Sequence, residues 1–325
     1  MADSVDELFA IRNLFSLGAY QTLINEVSSS RAPLSDAAKQ EAKSYLYRSY
    51  IAQGKYNLVI SELKDSQIPE QHAIRLLAIY LQAKSKGDNT NKETTVKRVT
   101  ELLAESTNVV NSLVQLVAGT VLYNEGLLED ALKVLHHHGK NLEVRKRFTR
   151  YCEVYLKLEP GAIAGNNVLS SFMTIDRLDL ARKEVAAAKQ WSEDAMLAQL
   201  LEAWVDLRIG GDKYKEAFYI FEEFAQSHSA NTVKVLNGQA VANIALARYP
   251  EAESLLLEAL KINNDDPDTI VNLIVVANLT SKPSDVINRY INQLRDTAPD
   301  HTFLQDLDLK SSLFDRASAR FAIAS

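Results

Sequence analysis

Cysteine is almost missing from this chain, and a basic surplus and long apolar runs are missing altogether. Cys152 stands alone among 325 residues, so no internal disulfide is available, which fits a reducing compartment. No stretch of 18 apolar residues occurs, so no membrane-spanning helix is expected. Met1-Ala2-Asp3-Ser4-Val5-Asp6-Glu7 is acidic with no apolar run behind it, and neither a signal nor a transit peptide is expected. The formal net charge is −6, whereas wholesale nucleic-acid binding needs a basic face.

The motifs of chemistry are missing too. No Gly-x-Ser-x-Gly, His-Glu-x-x-His or dinucleotide fingerprint occurs. His136-His137-His138-Gly139 looks metal-rich, but neighbours on a helix point about 100° apart and cannot share one ion. The tract reads as a helix end before a C′ glycine. Asn263 to Asp268 lacks the mid-loop glycine and closing glutamate of a calcium loop; it reads as a turn with a helix N-cap. Gly161 to Gly165 has no lysine and hydroxyl residue behind it, so it is no phosphate loop. Arg145-Lys146-Arg147-Phe148-Thr149-Arg150 is a basic patch, read as a solvated helix face or, in competition, a contact for an anionic partner. Cys152 has no histidine placed as its base. A non-enzyme without metal or cofactor is expected.

What is present is a phrase that recurs about every 35 residues. A turn residue precedes an aromatic or aliphatic one, and a small or aliphatic residue follows inside an apolar helix. It reads Gly18-Ala19-Tyr20-Gln21-Thr22-Leu23 and Gly54-Lys55-Tyr56-Asn57-Leu58-Val59. Later it reads Gly126 to Ala131, Gly211 to Ala217, and Ala247 to Ala252. The marks Leu23, Val59, Val96, Ala131, Ala181, Ala217, Ala252 and Val286 are 36, 37, 35, 50, 36, 35 and 34 residues apart. The long step holds one extra helix, about 142–158. Between Lys84 and Lys92 the turn is polar, lacks the aromatic and reads as loose. Val109 to Val117 and Thr269 to Thr280 are β-branched, yet the period makes them helices.

The expected fold is all-α: a right-handed tetratricopeptide-like solenoid of about eight helix pairs (helix A, turn, helix B). It spans 1–300 with the extra helix inside it. A C-terminal helix in 301–325, carrying Phe303, Leu307, Phe314, Ala317 and Phe321, belongs to the same unit. It closes the last apolar face, or serves as a partner-binding tail. On the A helices the inner positions read as Leu116, Tyr123, Leu200, Trp204, Val241, Ile244 and Val275, with Arg48 as one charged member. Each competes with a role in repeat-to-repeat packing. An apolar channel of this kind asks for a partner segment, and buried aromatics such as Trp204 are the usual anchors.

The phrase resembles a degenerate tetratricopeptide repeat. Further stretches resemble the epsilon subunits of coatomer. They include Leu8-Phe9, Arg12-Asn13, Leu17 to Gln21, Arg177 to Glu184, Glu193-Asp194-Ala195 and Ala203-Trp204-Val205. They continue through Ala217 to Phe221, Leu236 to Ala240, Glu251-Ala252-Glu253, Val271 to Val275, Lys282-Pro283 and Phe314-Asp315-Arg316. The resemblance implies a non-enzymatic coat component that curls around the C-terminal domain of the coatomer alpha subunit and stabilises it. It implies a cytoplasmic protein, peripheral on Golgi membranes and coated vesicles, in intra-Golgi and Golgi-to-ER transport. Membrane contact would be indirect, through the rest of the coat. The competing reading is a chaperone adaptor of the tetratricopeptide type, which needs several lysines and arginines converging on the groove.

Overall fold

Six turns of one geometry punctuate the chain. At Gly18, Gly54, Gly87, Gly126, Ala247 and Ser281 the backbone enters the left-handed region, with φ of 82°, 73°, 67°, 77°, 58° and 52°. In each, the following N–H reaches back five residues to a carbonyl of the helix just ended. Examples are Ala19 N to Leu14 O, Lys55 N to Tyr50 O and Arg248 N to Asn243 O, each 2.9 Å. This paired closure satisfies the last carbonyls of a helix and stops it. The next helix then starts within about one turn.

The computed structural model describes residues 8–29, 35–104, 111–136, 178–191, 196–226 and 231–320. Among them there are sixteen helices and no strand. The helices fall into two compact units. The first holds α1 (Phe9–Leu17), α2 (Tyr20–Ser29), α3 (Asp36–Ala52), α4 (Tyr56–Glu62), α5 (Pro69–Ser85) and α6 (Asn89–Ala104). It continues with α7 (Ser112–Asn124), α8 (Leu128–His136), α9 (Leu178–Trp191), α10 (Met196–Ile209) and α11 (Lys213–Gln226). The second holds α12 (Val233–Ala245), α13 (Tyr249–Ile262), α14 (Pro267–Leu279), α15 (Ser284–Thr297) and α16 (Thr302–Ser318). The extra helix expected at 142–158 lies outside the described residues, as do Cys152, Arg145 to Arg150, Gly161 to Gly165 and His137-His138.

Helices α1, α3, α5, α7, α10, α12, α14 and α16 occupy the A position; the others are B. Several A helices are held at both ends. Ser35, Asn111, Thr232 and Asp266 accept hydrogen bonds from first-turn amides of α3, α7, α12 and α14, as N-cap side chains do. Pro69 and Pro267 sit at the first position of α5 and α14, where no backbone donor is missed. The β-branched segments of α7 and α14 are helical, because their valines and isoleucines pack against other helices and burial outweighs their weak strand preference.

Within each unit the A helices of adjacent pairs pack on one another. B helices reach the next pair mainly through its helix A. The A helices therefore form one layer of each unit and the B helices the other. In the first unit α1 also touches α10, so two A helices far apart in sequence meet.

The repeat marks lie on B helices at the crossing with A. Leu23, Val59, Ala131, Ala181, Ala217 and Ala252 are each 0% exposed. The segment Lys84 to Lys92 departs from expectation: only Lys86 to Asp88 separate α5 from α6. Gly87 makes the same left-handed turn as its counterparts, without the aromatic. Five residues after it, where a small residue stands elsewhere, is Lys92. Its Nζ lies 3.3 Å from Glu125 Oε2, and Glu125 Oε1 accepts from the buried Tyr80 hydroxyl at 2.6 Å. Val96 is only partly buried, and Thr95 and Val99 take the inward places.

The first unit centres on Ile51, Val59, Leu63, Ile74, Leu77, Tyr80, Val117 and Val121. The second packs Ala240, Ala252, Leu256, Leu273 and Val276 into one cluster, and Ile270, Ile274, Leu294 and Leu304 into the next. A polar seam joins α12 to α14. Asn237 Nδ2 donates to Thr269 Oγ1 at 2.7 Å and to Asp266 Oδ2 at 3.3 Å, Thr269 Oγ1 donates to Asp266 Oδ2 at 2.7 Å, and Asn272 Nδ2 donates to Asn237 Oδ1 at 3.1 Å. Helix α16 docks through Phe303 and Leu304. Beyond its second turn it is exposed, and Phe314 at 72% takes no part in closing the face.

Four outcomes follow for stability, each read from denaturant midpoints. Ala247→Gly relieves a left-handed alanine and raises stability by about 1 kcal/mol, whereas Gly54→Ala lowers it by a similar amount. Nothing lies within 4 Å of an added Gly54 Cβ, so that cost is purely conformational. Ala252→Phe overpacks the α12–α13 crossing and costs about 1–3 kcal/mol. Asn237→Leu strips partners from Thr269 and Asn272 and costs about 2 kcal/mol, more than the loss of one solvent-facing hydrogen bond.

Candidate functional site

The repeated turn supplies a register for the A-helix layer. Six residues before the left-handed residue stand Arg12, Arg48, Leu81, Thr120, Val241 and Val275. Trp204 holds the same offset from Gly210, which is also left-handed at φ 83°. All but Thr120 are partly exposed. Ten residues before the turn, Leu8, Leu77, Leu116, Leu200 and Asn237 are buried, whereas Ser44 and Val271 are partly exposed. On α1, α5, α10 and α12 a place packed into the unit and a place left half open thus lie one turn apart; on α3 and α14 both places are partly exposed, and on α7 both are buried.

The expected groove residues sort along this register. Arg48, Trp204, Val241 and Val275 share the half-open place. Tyr123 and Ile244 lie three residues before their turns and are also partly exposed. Leu116 and Leu200 are core instead, 3% and 1% exposed. They occupy the buried place one turn earlier and keep no surface for a partner. Arg12 and Leu81 belong to the half-open set and were missed, although the offset from Gly18 and Gly87 points to them. Arg48, Tyr123 and Trp204 belong to the first unit, and Val241, Ile244 and Val275 to the second.

The first unit carries the charge. Arg12 Nη2 on α1 donates to Glu41 Oε1 on α3 at 2.8 Å, both side chains being mostly covered. Arg48 sits over the Phe15 ring at 4.4 Å and 5.3 Å from the Tyr45 ring. Those rings meet edge to face at 5.1 Å, and Tyr20 joins Phe15 at 5.9 Å. Burial pushes the Arg48 guanidinium down to about 10, against the opposing pull of Tyr20 and Glu41. Burial likewise pushes the Tyr20 hydroxyl up to about 12, partly offset by Arg48. At neutral pH Arg48 stays charged. On α10, Trp204 meets Phe221 of α11 edge to face, with centroids 5.5 Å apart. In the second unit the half-open places are valines, and Ile244 packs partly against the core around Leu256.

Among the described residues no group of histidine, cysteine and carboxylate side chains is placed to hold a metal ion. No described helix is long and apolar enough to cross a membrane.

Known proteins match this chain along its length. The family model for the coatomer epsilon subunit matches residues 4–322. Coatomer subunit epsilon-1 of Oryza sativa subsp. japonica is 38% identical over 315 residues, covering 97% of this chain and 98% of that one. Coatomer subunit epsilon of Dictyostelium discoideum is 35% identical, covering 98% and 99%. Coatomer subunit epsilon-1 of Arabidopsis thaliana is 34% identical, covering 98% of each. Among solved structures, a chain of the APC/C hetero-tetramer Cut9-Hcn1 aligns with a TM-score of 0.52 at 13% identity, over 94% of this chain and 56% of that one. That likeness bears on the helical solenoid fold alone. The match of sequence from near one end to the other, with helix pairs in the predicted register, shows that the chain belongs to the coatomer epsilon subunit family.

Proposed function

We propose that this chain, a structural subunit of the coatomer coat in vesicle transport, holds the C-terminal domain of the coatomer alpha subunit on its A-helix layer. The observation that supports this is the half-open place on the A helices, which repeats in register and is occupied by Trp204, Val241, Val275 and Leu81. Side chains half covered by their own unit and apolar at their tips gain most when a second surface completes their burial. The chain acts by binding: it orders its partner and is ordered by it, without a reaction. Its place is on the cytoplasmic face of Golgi membranes and vesicles, reached through the rest of the coat.

The chaperone-adaptor reading needs a wall of cations. The six half-open residues include two arginines, and one of them is already paired with Glu41, so the adaptor is disfavoured.

Two measurements test the proposal. Purification of the chain from cytosol at high salt retains a large multi-subunit coat, including the alpha subunit; retention of a chaperone alone overturns it. Trp204→Ala weakens binding to the alpha C-terminal domain about tenfold or more by calorimetry, as loss of a central aromatic anchor does, while the melting temperature falls only by the loss of the Phe221 contact. Unchanged affinity with a collapse in melting temperature assigns Trp204 to the core.

A further inference from the structure

Arg48 differs from every other member of its register. Its counterpart Arg12 is committed to Glu41 at 2.8 Å. The Arg48 guanidinium is stacked on Phe15 and Tyr45, but no described residue accepts a hydrogen bond from it or forms an ion pair with it. Glu41 and Tyr20 act on it only through space. Cation–π stacking engages the face of the guanidinium and leaves its N–H donors in the plane, pointing past the ring edges. Phe15 offers no acceptor for the five N–H groups, and no hydrogen bond joins them to Tyr45. The fork is therefore stacked on aromatic rings, partly desolvated, at a half-open place on α3, with no hydrogen-bond acceptor or ion-pair partner among the described residues.

We propose that Arg48 is the specificity contact of the A-helix layer: it receives the carboxylate of an aspartate or glutamate side chain on the bound alpha-subunit segment, in a bidentate pair. This rests on the proposed function above. A planar fork matches a carboxylate with two parallel hydrogen bonds. Partial burial before binding means that little further water must be removed, and the stacked side chain loses little freedom. The rest of the half-open set favours apolar surface without fixing its register. One directional charge contact among apolar neighbours selects a single seating of the partner, because a shifted partner leaves the guanidinium buried against apolar groups.

The test compares the full chain with Arg48→Lys and Arg48→Met against the isolated alpha C-terminal domain, by calorimetry at low and high salt, with melting curves for each variant. Methionine keeps the stem that covers Phe15 and removes the fork. Wild type binds; Arg48→Met binds at least tenfold more weakly with a shallower salt dependence; Arg48→Lys falls between, keeping the charge but not the fork. Replacing the one partner carboxylate that Arg48 meets by its amide gives the same loss in wild type and little further loss in Arg48→Met. If Arg48→Met binds as wild type does, Arg48 serves only to pack Phe15 and the inference is overturned, while the proposed function stands. If wild type fails to bind the alpha domain, the proposed function falls, and the inference with it. A melting temperature for Arg48→Met close to wild type separates lost contact from lost fold. If that variant unfolds, Arg48→Lys carries the decision, its intermediate affinity supporting the fork and wild-type affinity refuting it.

Discussion

One left-handed residue, in the same turn at the end of six of the eight described A helices, is the constraint from which the rest follows. It closes the helix with a bond back across five residues and sends the chain out at a fixed angle, so the B helix can only return along the A helix. The residue five places on then meets the crossing, where there is room for alanine, valine or leucine and little else. Leu23, Val59, Ala131 and Ala252, each five places after such a residue, are 0% exposed, a result of turn geometry and not of hydrophobicity alone. Two turns are made without glycine, at Ala247 and Ser281. The strain of roughly 1 kcal/mol at each is carried by the packing on either side.

The same turn decides what is wall and what is surface. Counting back from it, one helical turn separates a buried place from a half-open one. The alternation recurs on α1, α5, α10 and α12, while α3, α7 and α14 make a left-handed turn without it. Stability in such stacks is close to a sum of neighbour terms, so each unit tolerates a local exception if its neighbours are sound. Lys92 is such an exception. A lysine stem spans a crossing built for a small residue, and its charge is met by Glu125, itself held by Tyr80. Three residues from three helices replace one alanine. The arrangement costs desolvation, and it ties α5, α6 and α7 together more specifically than apolar contact would.

The period was legible because it is local: turn, aromatic and small residue lie within six positions and recur. The helical nature of α7 and α14 was legible against their composition for the same reason. What was not legible depends on distance along the chain. Tyr80 and Glu125 are 45 residues apart, and nothing near either announces the other. Gly87 was passed over because its aromatic companion is absent, though the glycine alone makes the turn. Leu116 and Leu200 were placed on the inner surface beside Trp204 because they lie on nearly one face of a helix. A helix face does not say which turn along it meets a neighbour, and only the offset from the left-handed residue separates them. Asn237 occupies the buried place that leucines fill elsewhere. Its partners Asp266, Thr269 and Asn272 come from the next A helix, so sequence pattern alone marks it as a surface residue.

The half-open places also explain why a stack of this kind works as a holder. A fully buried side chain has nothing to offer a partner, and a fully exposed one must be ordered before it can bind. Trp204 against Phe221 and Arg48 against Phe15 are already ordered by their own unit yet incompletely covered. Association then costs less side-chain entropy for each contact made. A partner that binds only the folded form adds to stability in proportion to the logarithm of its concentration, roughly 2.7 kcal/mol at a hundredfold excess over Kd. For units assembled from short helices that gain is comparable to the effect of a large-to-small core substitution. On the proposed function, the binding surface and the stability of the stack are one property, because the partner would complete the burial that the fold leaves unfinished.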